Sequence, residues 1–532
     1  MKIVIADDMP ASAVSILRDV EGWTVDVGGD LTAADLAAAV ACADAIIVRS
    51  ATMINRAVID GAPVLRIIAR AGTGVDNVDV EAASARGILV VNAPGANSVS
   101  VAEHACALML ALARSIPAAD AAMKRGRWDR RAFTGGELRG KTLGIVGLGR
   151  VGQEVAHRAH GFGMRVVAHD PFIAAQVASD LAVELLSLEE VCQRADYLTL
   201  HLPSTAGTRH LFSADRLAAC KPGVRLINTA RGDLVDERAL ADAIEAGAVG
   251  GAAIDVFESE PPLDWRLASL PQVIATPHIA ASTREAQELV GIETACAVRD
   301  FLRDGVVRNA INFPSISQEE HKRLQPHLKM AQRLGTVVGT LGTARIEGIG
   351  VRYYGDLAAA NNELLCAAVL VGVFTPILST AVTAVNARAI AAGRGVEVIE
   401  SRSSRPRNFT SLLSVKLHTS EGVRWVEGTV FEPGSPRLVS VDNIPVEAPL
   451  DGTLLIIANH DQPGVIGAVG TVLGRHGVNI ASFALGRDAS GAIGVVNVDE
   501  GQNGTGPGSV DETVLDEIRS IPAVRSVSLV RL

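Results

Sequence analysis

Aromatic side chains are scarce: Phe, Trp and Tyr together make up 3% of 532 residues. A chain so poor in them offers no stacking platform for bases, because single-stranded nucleic acid is held largely on aromatic faces. Basic residues are also in deficit. Lys and Arg number 49 against 59 Asp and Glu, a formal charge of −10, which works against non-specific binding to nucleic acid. A local cationic pocket is compatible with that balance. Cysteine is sparse too. Cys42, Cys106, Cys192, Cys220, Cys296 and Cys366 form no Cys-x-x-Cys pair, and no histidine cluster stands beside them. They read as small buried residues of a reducing, cytoplasmic compartment, not as a disulfide or zinc framework, and no metal is expected.

A secretory leader is not legible either. Residues 1–8 hold one Lys, a short apolar run, then Asp7 and Asp8, which reads as a strand entering a turn. The one long uncharged stretch, 364–387, could span a bilayer by length. Thr375, Pro376, Ser379, Thr380, Thr383 and Asn386 interrupt it. A pair of buried helices broken near Pro376 is the expectation, with no membrane span.

What the chain has in quantity is small aliphatic residues. Apolar residues make up 48%, and with so few aromatics among them Ala, Val and Leu build the interior, as in parallel sheets covered by helices. The length suggests about three or four domains. Up to about residue 310, β-branched runs alternate with Ala-rich stretches of helical period. The predicted strands are 3–6, 45–48, 66–69, 88–91, 143–146, 165–168, 197–200, 224–228, 253–256 and 273–275. That rhythm predicts an α/β fold of doubly wound parallel sheets, and ten strands are too many for one ordinary sheet. The break falls near Asn97-Ser98. Long helical stretches at 99–114 and 283–304 flank the second unit, which suggests a Rossmann-type cofactor domain (98–282) inserted into a substrate domain (1–97 with 283–312). Residues 313–450 read as an α+β accessory domain, with strands at 412–417 and 423–430 and a turn at 432–436. Residues 451–532 read as βαββαβ: strands 453–458, 478–485, 492–498 and 524–529, helices 465–476 and 510–518, and a Gly-rich loop at 501–508.

Within the inserted unit, Gly147, Gly149 and Gly152 form Gly-x-Gly-x-x-Gly between a predicted strand and a predicted helix. The first gives the tight turn, the second lets backbone approach a pyrophosphate, and the third permits close helix–sheet packing. The helix N-terminus offers free N–H groups to the anion. Asp170 follows a second strand, 18 residues beyond Gly152. A carboxylate there accepts ribose hydroxyls and repels a 2′-phosphate, so NAD is the expected cofactor.

Three later segments end predicted strands and carry Arg231, Glu260 and His278. In open α/β sheets ligands sit beyond the carboxyl ends of strands. Oxidation of a secondary alcohol needs a base near neutral pH, which His278 supplies. Glu260 would orient the imidazole and raise its pKa, and Arg231 offers a planar fork to an α-carboxylate.

With these motifs the chain resembles the D-isomer-specific 2-hydroxy acid dehydrogenase family. Within it the chain resembles the long forms that act on 3-phosphoglycerate and end in an ACT domain, over essentially its full length. Segments 48–52, 70–77, 147–152, 228–236 and 276–283 carry the likeness. The resemblance implies Arg231 as carboxylate binder, Glu260 as orienting acid and His278 as proton acceptor. It implies NAD contacts from Arg150, Val151, Asp170, Thr229, Ala230 and Asp255, and substrate contacts from Arg49, Arg70, Gly72, Thr73 and Gly74, with Asn97-Ser98 as weaker candidates. It further implies feedback by L-serine at Asn459, Asp461 and Asn479, and a homotetramer. Asn459 stands where the family often carries His or Tyr. Two other readings stay open: a hydroxypyruvate or glyoxylate enzyme of the same family, and a non-catalytic NAD-sensing protein like the co-repressors built on this fold.

Overall fold

The computed structural model describes residues 1–532 except Asp30, Ser490 and 501–508. Four sheets succeed one another along the chain. The first has β1 (Lys2–Ile5), β2 (Thr24–Val27), β3 (Ala45–Val48), β4 (Ile67–Arg70) and β5 (Leu89–Val91), all parallel in the order β2-β1-β3-β4-β5. The second has β6 (Thr142–Val146), β7 (Arg165–His169), β8 (Glu184–Leu185), β9 (Tyr197–Leu200), β10 (Val224–Asn228), β11 (Val249–Ile254) and β12 (Val273–Ala275). Its order is β12-β11-β10-β9-β6-β7-β8, again all parallel. Strands such as β3 and β9 are buried along their whole length, which is why they read as unbroken apolar runs.

Two helices make the crossings between these lobes. Ser98–Arg114 leaves the first sheet and buries Ala105, Leu108, Met109 and Leu112 in the second lobe's core. Arg284–Asp304 returns, and its Val290, Ala295, Val298 and Leu302 pack with Ile3, Ile5 and Leu17 of the first lobe. The two meet where the Ser100 and Thr283 hydroxyls stand 2.7 Å apart. Thr283 also caps the returning helix by accepting from the Ala286 N–H. The second lobe is thus an insertion in the first.

The third sheet joins β13 (Ile346–Gly355), β14 (Glu397–Ser403), β15 (Ser411–Thr419), β16 (Gly422–Phe431), β17 (Ser435–Val441) and β18 (Ile444–Pro449) in the order β14-β13-β15-β16-β17-β18. Only β13 and β14 run parallel. Helices Gln318–Leu341 and Asn362–Phe374 share its core. The fourth sheet, β19 (Thr453–Asn459), β20 (Asn479–Asp488), β21 (Gly491–Asp499) and β22 (Val524–Arg531), is antiparallel in the order β20-β21-β19-β22. Its helices Val465–Arg475 and Glu512–Arg519 cover one face. Leu454, Ile456, Ile493 and Val495 on the other face merge with the third sheet's core, so the last two units pack as one body.

Three local expectations need correction, and a fourth lies outside the described residues. The uncharged stretch does hold helix Asn362–Phe374 and breaks at Pro376, but the break extends as a loop over 375–386 and the next helix is Ala387–Gly393. The loop is spent on docking: the Thr383 hydroxyl donates to the Gly87 carbonyl at 2.9 Å on the first lobe. At about 20 Å, thirteen helical residues cannot cross a bilayer core. Among the described residues no single helix is long and apolar enough to do so. The turn expected at 432–436 is shorter, since Ser435 and Pro436 already pair with Phe431 and Val430. Cys42 is exposed and Cys296 half-buried, the other four cysteines buried; Cys42 lies in the turn after helix Ala33–Val40, where the Lys2 ammonium approaches it. The Gly-rich loop 501–508 lies outside the described residues.

Candidate active site

The ladder register aligns the carboxyl ends of three neighbouring strands: Asn228 of β10 pairs with Ile254 of β11, which pairs with Ala275 of β12. The loops leaving those ends carry Arg231, Glu260 and His278. They converge in a cleft of about 930 Å³ between the two lobes, which Arg49, Arg70, Gly72, Thr73 and Gly74 line from the opposite side.

The Nδ1 of His278 and the Oε2 of Glu260 lie 2.7 Å apart. Glu260 Oε1 accepts from the Phe257 N–H at 3.2 Å, which sets the carboxylate's rotation. A carboxylate bonded at Nδ1 fixes the tautomer with the lone pair of neutral imidazole on Nε2. That hydrogen bond raises the His278 pKa above the ordinary imidazole value, against a smaller opposing effect of burial. Burial favours the neutral form of Glu260, but the hydrogen bond and charge of His278 outweigh it and hold the carboxyl below its usual range.

His278 has a φ of +52°, in the left-handed region that costs energy for any residue other than glycine. Asp255 holds it there. This carboxylate is fully buried and accepts from the Thr276 hydroxyl at 2.5 Å and from the Ile279 and Ala280 N–H groups at 2.9 Å each. His104 approaches it at 3.4 Å. The side chain of Asp255 therefore faces the 276–280 loop.

Arg231 reaches across the cleft. Its Nε donates to Asp76 Oδ2 at 3.0 Å and its Nη1 to the Ala230 carbonyl at 2.7 Å. Arg49 and Arg70 leave the ends of β3 and β4 on the other lobe. Among the described residues neither guanidinium has a hydrogen-bond partner, and the Arg70 Nε is buried without one. Burial, then the like charge of Arg231, lowers the Arg70 pKa from its usual value. Arginine stays charged through such shifts. Of the acids that line the cleft, Glu258 is engaged with His210 at 3.0 Å, Asp233 with Ser204 at 2.5 Å, Asp76 with Arg231 and Glu260 with His278. The Thr73 hydroxyl donates to Asn97 at 2.9 Å. The first-lobe wall is thus set up for an anion.

The glycine motif lies where expected, between β6 and the helix Arg150–Gly161. Gly147 has a φ of +98°. A Cβ on Gly152 would overlap the Gly147 carbonyl, whereas Gly149 faces open space with no atom within 4 Å. No side chain caps the helix, so its first N–H groups are free. Asp170 Oδ2 accepts from the Leu148 N–H at 2.8 Å and Oδ1 from Phe172 and Ile173 at 2.9 and 3.1 Å, which pins the carboxylate beside the glycine loop. The buried Thr229 hydroxyl lacks a partner among the described residues, next to Ala230, whose N–H bonds Asn228 at 3.1 Å. An uncapped helix, an open glycine and an orphaned hydroxyl fit a bound dinucleotide. Arg150 instead donates to the Pro94 carbonyl across the cleft, and Val151 packs on the lobe's core, leaving its backbone to the loop.

The expected effector residues do not converge within one chain. Asn459 ends β19, pairing with Ala492, and its buried Oδ1 has no partner among the described residues. Asp461 follows it, 3.8 Å from Arg487. Asn479 pairs with Asp499 at the opposite end of the sheet, about 20 Å away, and donates to that carboxylate at 2.6 Å. The resemblance to ACT domains grouped the three by motif position, which carries no statement of which end of the sheet each occupies. Sequence reasoning also passed over Asp76, His104 and Thr276, which no linear signal places beside Arg231 or Asp255.

Comparison with known proteins gives three family matches. Residues 106–280 match the D-isomer specific 2-hydroxyacid dehydrogenase NAD binding domain, 323–442 the D-3-phosphoglycerate dehydrogenase intervening domain, and 453–522 the ACT domain. The chain is 40% identical over 535 residues to a D-3-phosphoglycerate dehydrogenase of Methanocaldococcus jannaschii, covering 100% of both chains. It is 45% identical over 493 residues to one of Mycobacterium tuberculosis, covering 92% of each. Among solved structures, a Thermus thermophilus protein aligns at 37% identity and a TM-score of 0.54, over 58% of this chain and 100% of that one. A D-lactate dehydrogenase of Aquifex aeolicus, complexed with NAD and lactic acid, aligns at 28% identity and a TM-score of 0.52, over 59% of this chain and all of that one.

Proposed function

The chain belongs to the D-3-phosphoglycerate dehydrogenase family, and from that premise we propose that its cleft oxidises 3-phospho-D-glycerate to 3-phosphohydroxypyruvate, the entry to serine synthesis. The observation that carries the reading is the cleft itself. One wall holds the bonded His278–Glu260 pair and Arg231, the other the unpartnered guanidinium groups of Arg49 and Arg70. NAD, when bound, accepts the hydride from C2. His278 Nε2 takes the proton of the C2 hydroxyl as that hydride leaves, and Glu260 stabilises the imidazolium that results. Arg231 binds the α-carboxylate and polarises the forming carbonyl, while Arg49 and Arg70 take the phosphate. Asp255 keeps the imidazole aimed.

Two charge-assisted contacts to a phosphate are together worth about a hundredfold in selection. kcat/KM for 3-phosphoglycerate should exceed that for unphosphorylated D-glycerate by about that factor. A preference for the unphosphorylated acid moves the chain to the hydroxypyruvate or glyoxylate class. For the cofactor, Asp170 is the group that repels a 2′-phosphate. Asp170→Ala should raise the ratio of NADP to NAD activity by about tenfold, and an unchanged ratio removes that role.

L-serine is the effector proposed for the last domain, with Asn459 and Asp461 as one half of its site and the uncapped helix Val465–Arg475 beside it. Asn479 stands at the far end of the sheet, so a site using all three groups requires a second copy, as in the tetramer the resemblance implies. Serine inhibition should weaken by about tenfold in Asp461→Ala. Identical inhibition curves exclude Asp461 from the site.

A further inference from the structure

Asp76 has no place in the roles above, yet it is the carboxylate that touches Arg231. A guanidinium carries five donor hydrogens in one plane. In Arg231 the Nε–H goes to Asp76 Oδ2 at 3.0 Å and an Nη1–H to the Ala230 carbonyl at 2.7 Å. The Nη2 lies against Gly74, where any Cβ would overlap it. Asp76 and Gly74 belong to the first lobe, Arg231 to the inserted one. The glycine thus leaves the space that the guanidinium enters, and the carboxylate fixes the rotation of the group inside it.

We propose that Asp76 is a positioning residue for Arg231, and that it assembles the carboxylate-binding edge of the site from across the cleft. The proposal rests on the reading of Arg231 as carboxylate binder. By taking Nε, Asp76 leaves Nη2 and the second Nη1 hydrogen for the substrate. The pair is partly exposed, with 30% of the Arg231 side chain and 67% of the Asp76 side chain accessible. Such pairs add little to stability, so the effect lies in orientation, where small misplacements of a binding group cost rate. The same carboxylate offsets the repulsion that Arg70 feels from Arg231. Its reach across the cleft parallels Arg150, which crosses at another point to the Pro94 carbonyl. The lobes are therefore bridged at two places, and only the Asp76 contact bears on the group that would hold the substrate carboxylate.

A double-mutant cycle tests this. Asp76→Ala should lower kcat/KM for 3-phosphoglycerate by about tenfold with NAD affinity and melting temperature unchanged. In an Arg231→Lys background, which lacks the Nε contact, the same substitution should change kcat/KM by less than about twofold. A purely structural role would let the two losses multiply, and multiplying losses overturn the proposal. So does Asp76→Ala at wild-type kcat/KM while Arg231→Lys is impaired; that result leaves the reading of Arg231 intact. A fully active Arg231→Lys removes Arg231 from the chemistry and Asp76 with it.

Discussion

His278→Ala should lower kcat for 3-phosphoglycerate oxidation by about a thousandfold while NAD binds as before. The imidazole is the one group in the cleft whose free nitrogen can accept the hydroxyl proton, since its other nitrogen is held at 2.7 Å by Glu260. A positioned general base contributes about a hundredfold to ten-thousandfold. Among the described residues no hydrogen bond joins His278 to the glycine loop, so cofactor affinity, read by titration with NADH, should not move. Turnover that survives the substitution would place the proton acceptor elsewhere. A protein that binds the dinucleotide but shows no turnover even with His278 intact would favour the NAD-sensing alternative.

The pH dependence has a definite sign. Oxidation needs neutral imidazole, and Glu260 raises the His278 pKa, so kcat/KM should fall on the acid side from a pH above the ordinary imidazole value near 6.5. In Glu260→Gln the neutral amide no longer stabilises the imidazolium. The acid limb should then move to lower pH, although the maximum rate falls because the ring is less well oriented. An acid limb that stays in place in Glu260→Gln would detach the carboxylate from the titration of His278.

Gly152→Ala should weaken NAD binding by between about tenfold and a hundredfold and lower the melting temperature. A methyl there meets the Gly147 carbonyl, which is backbone and cannot step aside. The helix Arg150–Gly161 must therefore move off β6, at an overpacking cost of about 1–3 kcal/mol, and its free N–H groups leave the place where they would hold a pyrophosphate. Gly149→Ala makes the internal contrast: its side has open space in the protein, so any loss there reports on the ligand and not on the fold. Equal NAD affinity in Gly152→Ala and the native chain would mean that this turn does not bear the cofactor.

The parts of this account that were legible in the sequence are those encoded over short distances. Both α/β lobes announce themselves because β3, β4, β6 and β9 are covered on both faces and so read as apolar runs between Ala-rich helices. The glycine motif, Asp170 and the three strand-end segments follow from the same local pattern. β2 escaped notice because it is an edge strand with most of its side chains exposed, and β8 because it has two residues. β14 is an edge strand of alternating, mostly exposed residues in a region without motifs. What no local pattern carries is the pairing of distant loops. Asp76 and Arg231 are 155 positions apart, and Asp255 spends its carboxylate on the loop of His278, although a strand-end acid beside a cofactor domain invites a ligand-contact reading. Asn479 lies at the opposite end of the sheet from Asn459, a fact that depends on strand direction alone.

The claim beneath all of this is that Arg231, Glu260 and His278 work together on a phosphorylated 2-hydroxy acid. The most direct test is NADH formation by the native chain supplied with NAD and 3-phosphoglycerate, with the keto product trapped so that the equilibrium does not mask turnover. The account predicts NADH appearing in step with trapped 3-phosphohydroxypyruvate. Absence of NADH from a protein shown in the same buffer to bind both NAD and 3-phosphoglycerate would contradict it.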